Sequence, residues 1–169
     1  MLTDHKTSID GTIVYYRAGG DPAKPHLIFF NGWGARLNGI FGSDKVIEEL
    51  SKHFYVVSPE LPGFMRSEPP KEVWKVDDFA TFIYKLLQPL NLENPVVMGQ
   101  SFGGGVAALY TMNFVRKAKC LILVDAVLAG RIENCTSPFF WFGAMGTRGF
   151  QIWSEQKQYI AKYQTQDYL

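Results

Sequence analysis

Cysteine is nearly absent: Cys120 and Cys135 are the only two in 169 residues. The opening Met1-Leu2-Thr3-Asp4-His5-Lys6 has no apolar core of the kind a secretory leader needs. A disulfide framework is therefore not expected, Cys120 reads as a buried strand residue and Cys135 as a loop thiol, and no metal-ligand spacing exists. No apolar run approaches the ~20 residues that span a bilayer. The expectation is a soluble, cytoplasmic protein with no membrane partner. An excess of charge of either sign is also missing, since 17 basic and 16 acidic residues are mixed along the chain for a net charge of +1. That balance offers no basic face for nucleic acid and no acidic tail. Repeats and low-complexity tracts are absent. Histidine is scarce, with His5, His26 and His53 only, so none follows residue 53.

What is present is a 47% hydrophobic content, enough to bury the core of one domain. The chain is organised around Val96-Val97-Met98-Gly99-Gln100-Ser101-Phe102-Gly103-Gly104-Gly105. An apolar strand runs into a Gly-x-Ser-x-Gly turn and then into a helical stretch, the layout of a nucleophile elbow. A serine on such a turn projects its hydroxyl above the sheet, and small neighbours let the strained backbone pack closely. The first amides of the helix behind it favour developing negative charge. The same glycines lack the spacing of a dinucleotide or phosphate loop, so no nucleotide and no other cofactor is expected.

The remaining segments read in order. Lys6 to Ile9 and Thr12 to Arg17 alternate around Asp10-Gly11, which predicts an antiparallel hairpin. His26-Leu27-Ile28-Phe29-Phe30 is continuously apolar, as a central parallel strand requires, and leads into the glycine-rich Asn31-Gly32-Trp33-Gly34 at the strand's C-terminal end, where open α/β sheets place ligands. A helix from Ser43 to His53 with Ser43 as N-cap, a strand at Phe54-Tyr55-Val56-Val57, a structured loop from Ser58 to Ser67 and a helix from Asp77 to Leu90 follow. Lys119 to Val124 is one more parallel strand, ending at Asp125. Alternating strands and helices predict an α/β fold, a mostly parallel sheet with flanking helices and right-handed crossovers. Beyond Ala126 come Phe139-Phe140-Trp141-Phe142 and a polar helical stretch, with no further strand. The aromatic cluster reads as packing residues of a helical subdomain or as an acyl-binding wall.

With these motifs in register the chain resembles the α/β-hydrolase superfamily, particularly esterase-like members that insert a helical cap after the sixth strand. Gly99-Gln100-Ser101-Phe102-Gly103 matches the family's elbow. Asn31-Gly32-Trp33-Gly34 is similar to its His-Gly-x-Gly oxyanion loop, with Asn31 in the histidine's place. Glu60-Leu61-Pro62-Gly63-Phe64-Met65-Arg66-Ser67 is similar to its Asp-x-x-Gly-x-Gly-x-Ser loop, with Glu60 for aspartate and Met65 for glycine. The resemblance implies a hydrolase-fold core over 1–126 without its last strands and the start of a cap over 127–169. It implies Ser101 as nucleophile, the backbone amides of Trp33 and Phe102 as oxyanion hole, and Asn31, Gly32, Gly34 and Gln100 beside a small-molecule acyl substrate.

One partner of the serine is missing. In this family the triad runs Ser, then Asp or Glu, then His, and a serine hydroxyl needs that imidazole near neutral pH. All three histidines read as lying before strands, at the N-terminal edge of the sheet, ~16 Å from Ser101 across a five-residue strand. Asp125 is on the correct edge and has two readings, the triad acid or a structural carboxylate capping nearby amides. The expectation is that these residues are the N-terminal part of a longer serine hydrolase whose last two strands carry the histidine, and that alone they turn over little. Stopping at Val124 would leave an apolar sheet edge, which predicts self-association or cover by a missing C-terminal segment. Two alternatives are a non-catalytic ligand-binding or interaction module and haloperoxidase-like or carbon-carbon hydrolysis on the same fold. A haloalkane dehalogenase or epoxide hydrolase would place aspartate where Ser101 stands.

Overall fold

The computed structural model describes residues 2–32 and 44–127. Asp10-Gly11 closes a hairpin between β1 (Leu2–Ile9) and β2 (Thr12–Gly19), with Ile9 opposite Thr12. Both turn residues have positive φ, 50° and 79°, the backbone that a two-residue hairpin turn requires. Four short strands follow: β3 (His26–Phe30), β4 (Tyr55–Pro59), β5 (Val96–Gln100) and β6 (Cys120–Val124). They form one sheet in the order β1-β2-β4-β3-β5-β6, antiparallel from β1 through β2 to β4 and parallel from β4 to β6.

Successive side chains on the central strands point to opposite faces, and both faces are covered. Ile28, Phe30, Val57 and Val97 pack with α2 (Val76–Leu87) and α3 (Phe102–Phe114) on one side. Leu27, Phe29, Val56 and Val96 pack with Ile47 of α1 (Asp44–Ser51) on the other. This double burial is why the strands read as unbroken apolar runs.

Several boundaries differ from the sequence expectation for identifiable reasons. The helix expected to end at Leu90 is α-helical to Leu87 and then tightens into a 3-10 turn at Gln88–Leu90, because Pro89 has no N–H to continue the α ladder. Its start is fixed by the Asp78 carboxylate, which accepts the Lys75 N–H at 2.7 Å, with Asp77 and Asp78 in the positive first turn. The first helix stops at Ser51 rather than His53, and its expected cap, Ser43, lies outside the described residues. Strand β4 starts one residue later than expected and runs on to Pro59, because Ser58 and Pro59 pair with Arg17 and Tyr16 of β2.

Two residues occupy other places than expected. Cys120 is exposed rather than buried, since β6 is the last strand and among the described residues has a neighbour on one side only. His5 is not at the N-terminal edge. It sits inside β1, opposite Tyr16, which in turn lies opposite Pro59 at the C-terminal end of β4, because the antiparallel hairpin reverses the chain direction. The expected cap at 127–169 and its aromatic cluster fall, from residue 128 on, outside the described residues.

Candidate active site

Ser101 stands between the last residue of β5 and the first of α3 with φ 51° and ψ −123°, a conformation that non-glycine residues avoid. Backbone hydrogen bonds from both sides hold it there. Its N–H donates to Val124 O at 2.9 Å, and its carbonyl accepts the N–H groups of Gly104 at 2.9 Å and Val127 at 3.0 Å. The segment after β6 is thus tied directly to the elbow. The motif glycines are explained by close approach: a Cβ on Gly103 would collide with the carbonyl oxygens of Phe30 and Asn31, and one on Gly99 with the Gly103 carbonyl and the Ala107 side chain. The turn can therefore sit flush against the end of β3.

At that end, Asn31 and Gly32 face the elbow. A Cβ on Gly32 would lie 3.0 Å from Ser101 Cβ and 3.2 Å from Gln100 Oε1, so any larger residue would press on the serine. Asn31 is buried, and its Nδ2 donates to Ser58 Oγ at 3.1 Å, joining the ends of β3 and β4. Asn31 Oδ1 and Gln100 Oε1 are buried and accept no hydrogen bond among the described residues. Two unfilled acceptors at one strand edge give the site a capacity to take a donor from water or ligand, since leaving each unpaired costs about 1–3 kcal/mol.

The third wall is the loop from Glu60 to Glu68. Pro62-Gly63 forms its first turn, with Phe64 N–H donating to Leu61 O at 2.8 Å and Gly63 at φ 83°. Phe64 then stacks on Phe102 at 5.6 Å, and Phe79 of α2 meets the same ring edge-on at 5.4 Å. Glu60 is fully buried, and its carboxylate accepts the Arg66 backbone N–H and Nε, both at 2.9 Å. Arg66 continues outward to the Asp4 carboxylate with two bonds of 2.9 Å and lies over the Tyr15 ring at 4.9 Å. These bonds hold the Asp4 carboxyl below its ordinary value and the guanidinium firmly charged. Ser67 Oγ donates to Glu60 O at 2.7 Å and accepts the Tyr15 N–H at 3.0 Å. Glu60 in place of aspartate therefore anchors the loop, and Met65 in place of glycine takes a positive φ of 48°.

Of the expected site residues, Asn31, Gly32, Gln100, Ser101 and Phe102 converge at the C-terminal ends of β3 and β5. Phe102 opens α3, whose leading amides emerge at this edge. Trp33 and Gly34 lie outside the described residues. Asp125 directly follows β6, exposed and at φ 46°, between Val124 and Val127, which both bond the Ser101 backbone. No histidine comes near. His26 begins β3 at the opposite edge, where its Nδ1 accepts the Glu93 N–H at 2.8 Å, and His53 bonds Leu50 in the turn before β4. His5 stacks on Tyr16 at 4.6 Å, on a strand four places from β5 in the sheet order; at ~4.8 Å per strand that is about 19 Å. Sequence reading passes over Ser58, Arg66 and Val127, the residues that brace the site from other elements. Only the position of Ser58 and Arg66 within the expected loop from Ser58 to Ser67 points toward them. Among the described residues no group of histidine, cysteine and carboxylate side chains could hold a metal ion, and no helix is long and apolar enough to cross a membrane.

A strained serine on a strand-to-helix turn, at the C-terminal edge of a mostly parallel sheet, defines an α/β protein with a hydrolase-type elbow. A family model described as alpha/beta hydrolase fold matches residues 25–166, and the chain belongs to that family. It is 31% identical over 114 residues to a poly(3-hydroxyalkanoate) depolymerase of Ectopseudomonas oleovorans, covering 66% of this chain and 39% of the relative. Over 134 residues it is 29% identical to a non-heme chloroperoxidase of Streptomyces lividans, covering 78% of this chain and 48% of the relative. The chain thus spans less than half the length of either relative. The solved structure of a bacterial membrane phospholipase A shares the fold, with a TM-score of 0.67 at 19% identity over 94% of this chain and 62% of that one.

Proposed function

We propose that the complete protein is a serine hydrolase that cleaves an ester or related acyl bond through an acyl-enzyme on Ser101. The observation that carries this reading is the Ser101 backbone, at φ 51° and ψ −123°, braced by three hydrogen bonds. Strain of this size persists where surrounding structure enforces it, and it is the strain a nucleophile elbow carries. Ser101 Oγ attacks the acyl carbonyl while the N–H groups of Trp33 and Phe102 hold the oxyanion. The bond to the leaving alcohol or amine breaks, that group departs with the proton taken from the serine, and water then cleaves the acyl-serine and restores the hydroxyl.

The proton carrier is an imidazole from outside these 169 residues, because none of His5, His26 and His53 reaches Ser101. Asp125 is the candidate carboxylate to orient that imidazole; its left-handed backbone, between Val124 and Val127 that bond the Ser101 backbone, equally suits a structural role. Similarity to a depolymerase supports hydrolysis as the reaction type. A second reading, a non-catalytic ligand-binding module on the same fold, draws on Asn31, Glu60 and Met65, which depart from the family's oxyanion-loop and loop motifs.

A fluorophosphonate probe applied to the full-length gene product separates the two. The hydrolase reading expects one label, lost in Ser101→Ala with the fold intact by circular dichroism. A folded full-length protein that takes no label supports the module instead.

A further inference from the structure

At the edge of the sheet opposite Ser101, a groove of about 430 Å³ opens between the C-terminal ends of α2 and α3. Strand β5 separates the two places, so they lie ~16 Å apart along five residues. The groove's volume falls in the ~300–1,000 Å³ range of small-molecule sites. Its walls are apolar and aromatic: Tyr84 and Leu87 from α2 face Tyr110 and Phe114 from α3, and the rings of Tyr84 and Phe114 stack at 4.6 Å. Its mouth carries Arg116 and Lys117, both exposed, in the turn that follows α3. Among the described residues no carboxylate lines it.

Charge at this mouth favours an anion. The C-termini of α2 and α3 each contribute about half a negative charge, and the two full positive charges outweigh them. The wall adds neutral donors. Tyr110 is buried, and burial pushes its phenol up to about 12, with Tyr84 adding to the effect. The phenol therefore stays protonated and able to donate throughout the neutral range.

We propose that this groove is a second binding site, separate from Ser101, for a fatty carboxylate of medium chain length, with the acyl chain against the aromatic wall and the headgroup between Arg116 and Lys117. The site is independent of what Ser101 does, so its failure and the failure of the hydrolase reading are distinguishable.

Isothermal titration of the full-length Ser101→Ala protein tests it with three probes of one chain length: decanoate, decanol and decyltrimethylammonium. Saturable decanoate binding is expected, weakened about tenfold in Arg116→Gln/Lys117→Gln, which corresponds to roughly 1.4 kcal/mol. The alcohol and the cation should bind at least ~10-fold more weakly than decanoate. Both substitutions are at exposed positions after the helix, so the variant folds. Decanoate affinity unchanged in the double variant, or decanol binding as tightly as decanoate, overturns the proposal.

Discussion

Ser101 stores backbone strain on the order of 1–3 kcal/mol, and three hydrogen bonds from its own helix and from the β6 exit hold it in place. Glycine tolerates that conformation, so Ser101→Gly is expected to raise stability by about 1 kcal/mol, read as a higher urea midpoint, while Ser101→Ala leaves it nearly unchanged. Equal midpoints for the two variants would mean the turn is relaxed. Tyr110 gives a second residue-scale expectation. Burial pushes its folded pKa up to about 12, above the ordinary phenol value near 10, so the stability it contributes is complete below about pH 10 and is lost as pH rises through about 12. Spectrophotometric titration should show one phenol ionising last, a step that Tyr110→Phe removes. At this scale much of the site was legible, because Gly99, Ser101 and Gly103 have the sizes that the contacts at the turn demand. His5 was not, since whether a residue precedes or follows an edge depends on strand direction, and only the pairing of β1 with β2 and of β2 with β4 reveals that.

The loop from Glu60 to Glu68 shows how an element is held by charges of unequal depth. Glu60 is 2% exposed and depends on Arg66, whereas the Arg66 pair with Asp4 faces solvent, with the Asp4 side chain 58% exposed. Removing the partner of a buried carboxylate costs about 3–5 kcal/mol, and removing an exposed partner less than about 1. Arg66→Met is therefore expected to lower stability several-fold more than Asp4→Asn in matched urea melts. Comparable losses would show that the outer pair carries the loop. Phe64 on Phe102 links this loop to the elbow, so the same variant should also slow fluorophosphonate labelling of the full-length protein. The loop's outline was legible in Pro62-Gly63 and Ser67. Its outer wiring was not, because Asp4 of β1 and Tyr15 of β2, which bond Arg66 and Ser67, are brought to it only by the order of β1, β2 and β4. The shortened second helix was readable in principle from Pro89.

Across the whole molecule, local pattern distinguishes strand from helix better than centre from edge. Val96 to Met98 and Leu121 to Val124 are equally apolar, yet β5 is covered on both faces while Ile122, Leu123 and Val124 are 41%, 37% and 36% exposed. Cys120 follows the same rule. An apolar strand with one neighbour among the described residues is a template for further pairing. The 169-residue chain on its own is therefore expected to self-associate in sedimentation velocity, and Leu123→Lys to shift it toward monomer. A monodisperse monomer without the substitution would show that the edge is already covered. The parallel sheet, its two layers and the elbow at its C-terminal edge were legible because each depends on short stretches of sequence. The reach of the histidines and the depth of Glu60 depend on strand order, which no single stretch encodes.

The central claim is that Ser101 carries the acyl group. Its most direct test is to mix the full-length protein with a p-nitrophenyl ester, quench within the first turnover, and locate the added mass by peptide sequencing. The account predicts one acyl group on Ser101, absent in Ser101→Ala. An acyl group on another residue, or ester turnover that persists in Ser101→Ala, would contradict it.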